Sequence, residues 1–273
     1  ELLRLTVVVL SVLLFIKGAR DLAKNGEQIG KRFYFEEGSG RQPFSPGTVW
    51  TNLQRVYHPV ATKAATTVGQ AWARYREASQ LSQGMARTAL LFIVYLGATR
   101  AIEKFVLDDE LIHPCRGLLS CQIDWFMTLS SVGIVVVLNL AVFDAIMLCR
   151  RWIGWVTTST GGWSDWVQDD YLEEYGLGIA QRGEFEKVRY VAVVDLIAQR
   201  TEVVNRLIRY PFIALLIMIA ARNEYFDIWN YPTLLLLSWS VNVLLALLGA
   251  FLLYQSASQA KETMLAGLNR QMI

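Results

Sequence analysis

Residues 125–148 read WFMTLSSVGIVVVLNLAVFDAIML, and Asp144 is the only ionisable side chain among them. This stretch decides the fold class. A helix needs about 20 predominantly apolar residues to cross the hydrocarbon of a bilayer. It is also one of the few structures that satisfies every backbone N–H and C=O internally while doing so. Residues 232–254, PTLLLLSWSVNVLLALLGAFLLY, repeat the signal without a charge. Residues 89–106 begin as ALLFIVYLGA and then carry Arg100, Glu103 and Lys104. Two shorter runs, 1–16 and 207–221, are interrupted mainly at their ends. The pattern predicts an all-α, polytopic membrane protein with about five transmembrane helices by the length rule, some of them extending as long helices into the cytoplasm.

Composition agrees. The chain is 53% apolar and 18% charged, against about 45–50% and about 25% in an ordinary soluble domain. The net charge of +2 says little, because charge is segregated along the sequence. Leu2–Ile16 does not read as a cleaved signal: Lys17 and Arg20 follow the run, and no small-residue cleavage site appears. The chain starts at Glu1, which suggests a processed end or a longer parent and a first helix only partly present.

Lys and Arg collect in cytoplasmic loops, and this assigns sides. Residues 17–88 hold Lys17, Arg20, Lys24, Lys31, Arg32, Arg41, Arg55, Lys63, Arg74, Arg76 and Arg87 against five acids, so this region is expected in the cytoplasm. The loop 107–124 has Asp108, Asp109, Glu110 and Asp124 against Arg116 and is expected on the periplasmic or extracellular side. Arg150 and Arg151 return the chain, making 149–206 cytoplasmic or interfacial. The short loop 222–231 holds Tyr225, Phe226, Trp229 and Tyr231, the composition of a headgroup belt. It is placed on the far side, and the tail 255–273 is cytoplasmic. The expected location is the cell (inner) membrane.

The cysteines follow this map. Cys115 and Cys121 fall in the far-side loop, where oxidising conditions favour a bridge, and Cys149 falls at the cytoplasmic end of its helix. A Cys115–Cys121 disulfide is favoured over a metal site built from His113, Cys115, Cys121 and Asp124, whose spacing matches no zinc pattern.

In the basic region, Ala61, Ala64, Val68, Ala71, Tyr75, Ala78 and Met85, with Ser82 between the last two, repeat at alternating spacings of three and four. That places one narrow, small-residue stripe on a helix face. It predicts one long helix running from about Val60 into the span at 89–106, used for partner binding or for packing within the chain. Trp152, Trp155, Trp163 and Trp166 cluster after the third span, a composition suited to the membrane interface. A second long helix is expected from Glu184 into the fourth span, with a kink or break at Pro211.

The chemistry is sparse. There is no phosphate-binding glycine loop, nucleophile elbow, HExxH or CxxC pair. No cofactor, metal or catalytic residue is predicted. The basic residues are explained by sidedness and anionic lipid before nucleic acid. What remains is polar residues inside apolar runs: Asp144 and Asn139 in the third, Asn242, Ser238 and Ser240 in the fifth, Arg100 and Glu103 in the second. Such groups either line a path or fasten helices to one another. In the second case Asp144 would pair with a nearby arginine such as Arg150 or Arg209.

Three functions are carried forward. The first is a non-enzymatic subunit that scaffolds or anchors a larger membrane assembly, through other membrane subunits or self-association. The second is a homo-oligomeric channel or pore-forming effector lined by the third and fifth helices. The third is a membrane enzyme.

Overall fold

The computed structural model describes residues 2–33, 35, 67–102, 104, 118–158, 162–163, 165–174, 185–221 and 233–272. Seven helices occupy them: α1 (Leu2–Arg32), α2 (Val68–Ala78), α3 (Leu81–Ile102), α4 (Leu118–Thr158), α5 (Asp165–Glu174), α6 (Phe185–Ala221) and α7 (Thr233–Met272). No strand occurs among the described residues; Thr67 and Gly162 form one isolated bridge. Three helical stretches are long and apolar enough to cross a membrane: Gln83–Ile102, Leu129–Thr158 and Trp239–Arg270. The runs at 1–16 and 207–221 are the apolar ends of the longer helices α1 and α6.

Several boundaries differ from those read in the sequence. The helix expected to run unbroken from about Val60 into the second span is divided. Thr67 caps α2, its Oγ1 accepting from the Gln70 N–H at 3.2 Å. Ser79 ends α2 by bonding locally, its hydroxyl donating to the Arg76 carbonyl at 3.0 Å. Such side-chain-to-backbone bonds compete with helix continuation. α4 starts before Trp125 and ends after Leu148, absorbing Cys121 and Trp152. α6 is one helix across Pro211, although the proline leaves the Leu207 carbonyl without its usual donor. Residues 255–272 continue α7 as helix.

The chain forms two compact units. The first comprises Glu1–Arg20, Met85–Asp144 and Arg206–Ala250. Its core joins α1, α4 and α6 through Val7, Val135, Leu138, Ala214 and Leu215, with Trp239 of α7 packed against them. The second comprises Asp21–Gly84, Ala145–Asn205 and Phe251–Ile273. Its core is aromatic. Trp72 meets Trp152 edge-on at 5.2 Å, Tyr75 lies 5.4 Å from both, and Phe33 stacks on Phe35 at 5.7 Å. Trp163 and Tyr171 close the cluster around Phe33. Trp152 and Trp163 are thus buried in protein, not laid along an interface. Aromatic burial of this size outweighs the interfacial preference that composition suggests.

α7 reaches into the second unit through buried Ala260 and Met264. A Cβ on Gly267 would lie 2.5 Å from Tyr190 Cε1, closer than any real contact. Gly267→Ala is therefore expected to lower stability by about 1–3 kcal/mol, the usual cost of overpacking. Adding Tyr190→Ala should relieve part of it, as read by thermal melts of the two variants.

Candidate functional site

Polar side chains of the first unit come together between α3, α4 and α7. Asn139 is buried on α4. Its Nδ2 donates to the Asn242 backbone carbonyl at 2.8 Å and to Asn242 Oδ1 at 2.9 Å. Asn242 Nδ2 in turn donates to the Tyr95 hydroxyl at 3.4 Å. Three helices are thereby joined through side chains that each offer both donor and acceptor groups. In an apolar medium such bonds are worth a modest amount each, typically about 0.6 kcal/mol, but leaving one unmade is costly.

Nearer the other end of α3, Arg87 pairs with Asp144 of α4. Its Nε–H is shared between Oδ1 at 2.9 Å and Oδ2 at 3.0 Å, with the side chains only 8% and 14% exposed. The partner of Asp144 is therefore Arg87, not Arg150 or Arg209. Closeness along one helix favours Arg150, but antiparallel packing of α3 on α4 brings residue 87 opposite 144.

The second unit holds a cluster that the sequence did not mark. Arg200 of α6 is 1% exposed. Its Nε donates to the Tyr75 hydroxyl at 2.9 Å, and Nη1 donates to the Leu22 carbonyl at 3.0 Å and to Asn25 Oδ1 at 2.8 Å. The guanidinium lies 5.1 Å from the Tyr75 ring centre and 5.8 Å from that of Trp72. Among the described residues no carboxylate pairs with it. The charge is compensated by neutral oxygens and aromatic faces. One turn away, Asp195 accepts from the Tyr171 hydroxyl at 2.8 Å and Gln199 Nε2 at 3.1 Å, and pairs with Arg32 at 2.8 Å. Burial and the bond to Asp195 raise the Tyr171 phenol well above its usual value. The available signal was the heptad position of Tyr75, whose hydroxyl needs a partner when buried.

The remaining predicted residues are dispersed. Arg100 is exposed toward the end of α3, and Ser240 is exposed on α7. Glu103, Cys115, Ala61 and Ala64 lie outside the described residues, as do the side chains of Ser238 and Cys121. The expected Cys115–Cys121 bridge falls there too. Cys149 is a free, buried thiol. Of the stripe, Val68, Ala71, Tyr75 and Ala78 are buried in the second unit, whereas Met85 is 53% exposed. The break at Ser79 takes Met85 off that face. Among the described residues, no three His, Cys, Asp or Glu side chains are grouped to hold a metal ion.

Two outcomes test these assignments. Removing one member of a buried ion pair strands the other, so Arg87→Met alone should cost about 3–5 kcal/mol. Arg87→Met with Asp144→Leu should recover most of that loss, read as thermal stability in one detergent. For Tyr75, burial pushes the phenol up to about 12 from an ordinary 10, with the nearby Arg200 charge opposing. Between those values the folded chain holds a proton that the unfolded chain has released. Its contribution is whole below pH 10 and is lost as pH rises from 10 to 12. Tyr75→Phe should flatten that alkaline slope relative to the parent, at a cost of about 1–3 kcal/mol for stranding Arg200 Nε.

No family model, curated protein or solved structure matches this chain.

Proposed function

We propose that this chain is a non-enzymatic integral membrane subunit that scaffolds or anchors a larger membrane assembly. The observation that carries the reading is that five polar side chains of its apolar helices are engaged with one another. Asn139, Asn242 and Tyr95 join three helices, and Arg87 neutralises Asp144. These groups fasten the bundle, as polar groups in lipid commonly do. On this reading the chain crosses the cell (inner) membrane about five times by the length rule, α1 and α6 supplying the two shorter spans, with the second unit cytoplasmic. Support for the two shorter spans comes from the surface. Among the described residues the exposed large apolar side chains belong to the first unit, save Val194, Phe251, Tyr254 and Leu265. They include Leu5, Val9, Val12, Leu13 and Ile16 on α1 and Ile213 and Leu216 on α6. Apolar surface exposed on this scale calls for a lipid or protein cover.

A pore lined by α4 and α7 is the second reading, favoured by the meeting of Asn139 and Asn242 from those two helices. One experiment separates the two. Purification in nanodiscs, with native mass measurement and identification of each co-purifying chain, is expected to give a hetero-assembly of fixed stoichiometry. A closed homo-oligomer whose conductance falls with Asp144→Asn or Asn242→Leu would overturn the scaffold reading in favour of the pore.

A further inference from the structure

α1 and α6 touch in the first unit at a glycine. A Cβ on Gly18 would lie 2.9 Å from Leu207 Cδ2 and 3.4 Å from Tyr210 Cε2. The helices run antiparallel here, since Val7 shares a core with Ala214 and Leu215 while Gly18 meets Leu207. The residues beside the contact are cations: Lys17 and Arg20 on α1, Arg206 and Arg209 on α6, all exposed.

Their side of the helix pair follows from the register. In an antiparallel pair, positions displaced in the same sense from the touching residues lie on the same side. Lys17 precedes Gly18 by one residue, and Arg20 lies one turn beyond Lys17. Arg206 and Arg209 precede Leu207 and Tyr210 by one residue each. At roughly 100° per residue, all four share one side. On that side the next exposed residues toward the middle of the apolar segments are Leu13 of α1 and Ile213 and Leu216 of α6. Asp21 follows Arg20, and Glu202 lies one turn before Arg206. No described carboxylate is ion-paired with Lys17, Arg20 or Arg209.

We propose that this side of the α1–α6 pair is a binding site for an anionic phospholipid. Lys17, Arg20 and Arg209 hold the phosphodiester, and the acyl chains lie on Leu13, Ile213 and Leu216. A phospholipid presents negative charge and hydrocarbon in the order in which the protein presents cations and apolar surface. Basic pockets between membrane helices recognise such headgroups. The glycine contact keeps the two helices close, and with them the cations on this side: a Cβ at 18 would press on Leu207 Cδ2. The inference rests on the first unit lying in the bilayer.

The test uses the full chain in detergent, titrated with phosphatidylglycerol and with phosphatidylcholine of the same acyl chains, retained lipid being read by native mass spectrometry. Phosphatidylglycerol should bind preferentially. Lys17→Gln/Arg20→Gln/Arg209→Gln should weaken it on the order of a hundredfold, about fivefold per charge removed. Lys17→Arg/Arg20→Lys/Arg209→Lys should retain binding, which shows that charge rather than folding is being read. The control Lys24→Gln/Lys261→Gln/Arg270→Gln removes three exposed cations elsewhere and should leave the preference unchanged. Equal loss in that control would overturn the site in favour of diffuse attraction. Unchanged preference in the first variant, or displacement of the lipid by inorganic phosphate alone, would also overturn it. Failure of the chain to float with vesicles of either lipid would instead overturn the membrane reading beneath it.

Discussion

A guanidinium buried among rings and neutral oxygens organises the second unit. Arg200 reaches α1 through Leu22 and Asn25, and α2 through Tyr75, while stacking on Trp72. A buried charge is tolerated only when its donors are met and its field is answered. Here that requirement fixes three helices at once. The backbone carbonyl of Leu22 must be presented, the Tyr75 hydroxyl oxygen must be aimed at Nε, and the Trp72 ring must lie beside the cation. Trp152 then fills the remaining space against Trp72 and Tyr75. With arginine replaced by a shorter cation, the point charge could not serve Tyr75, Leu22 and Asn25 together.

The first unit is held by different means. On the proposed membrane reading its surroundings are as apolar as its side chains, and burial of leucine against leucine then offers little net gain over lipid. Close packing and hydrogen bonds then decide which helix faces meet. Gly18 lets α1 approach α6, Asn139 ties α4 to α7, and Arg87 ties α3 to α4. Each is a specific, short-range contact that discriminates among registers which hydrophobicity alone would leave nearly equivalent.

Much of this was legible from residues. The apolar runs at 125–148 and 232–254 lie within α4 and α7, and the polar residues singled out inside them include the pair that meets. The failures have physical causes. Arg150 and Arg209 flank the same end of the apolar runs as Asp144 and so read as its partners, but antiparallel packing of α3 on α4 brings Arg87 to its side. Arg87 reads from sequence as one more basic residue of 17–88, because a charge total carries no information about burial. Trp152 and Trp163 read as interfacial from sequence, since composition cannot distinguish an aromatic core from an aromatic belt. The division at Ser79 was hidden because the spacing of apolar residues continues through it, while a single hydroxyl bonding to Arg76 ends the helix.

The missing side chain at residue 18 has a consequence on the evolutionary scale. Leu207 Cδ2 occupies the volume that any Cβ there would claim. The two positions are therefore coupled in inheritance: a gain of volume at 18 requires the Leu207 side chain to shift or shrink. Sequence drift in α1 is thereby coupled to drift in a helix nearly two hundred residues downstream. In an alignment of descendants of this chain, that covariation would mark the α1–α6 contact more clearly than the hydrophobic pattern of either helix.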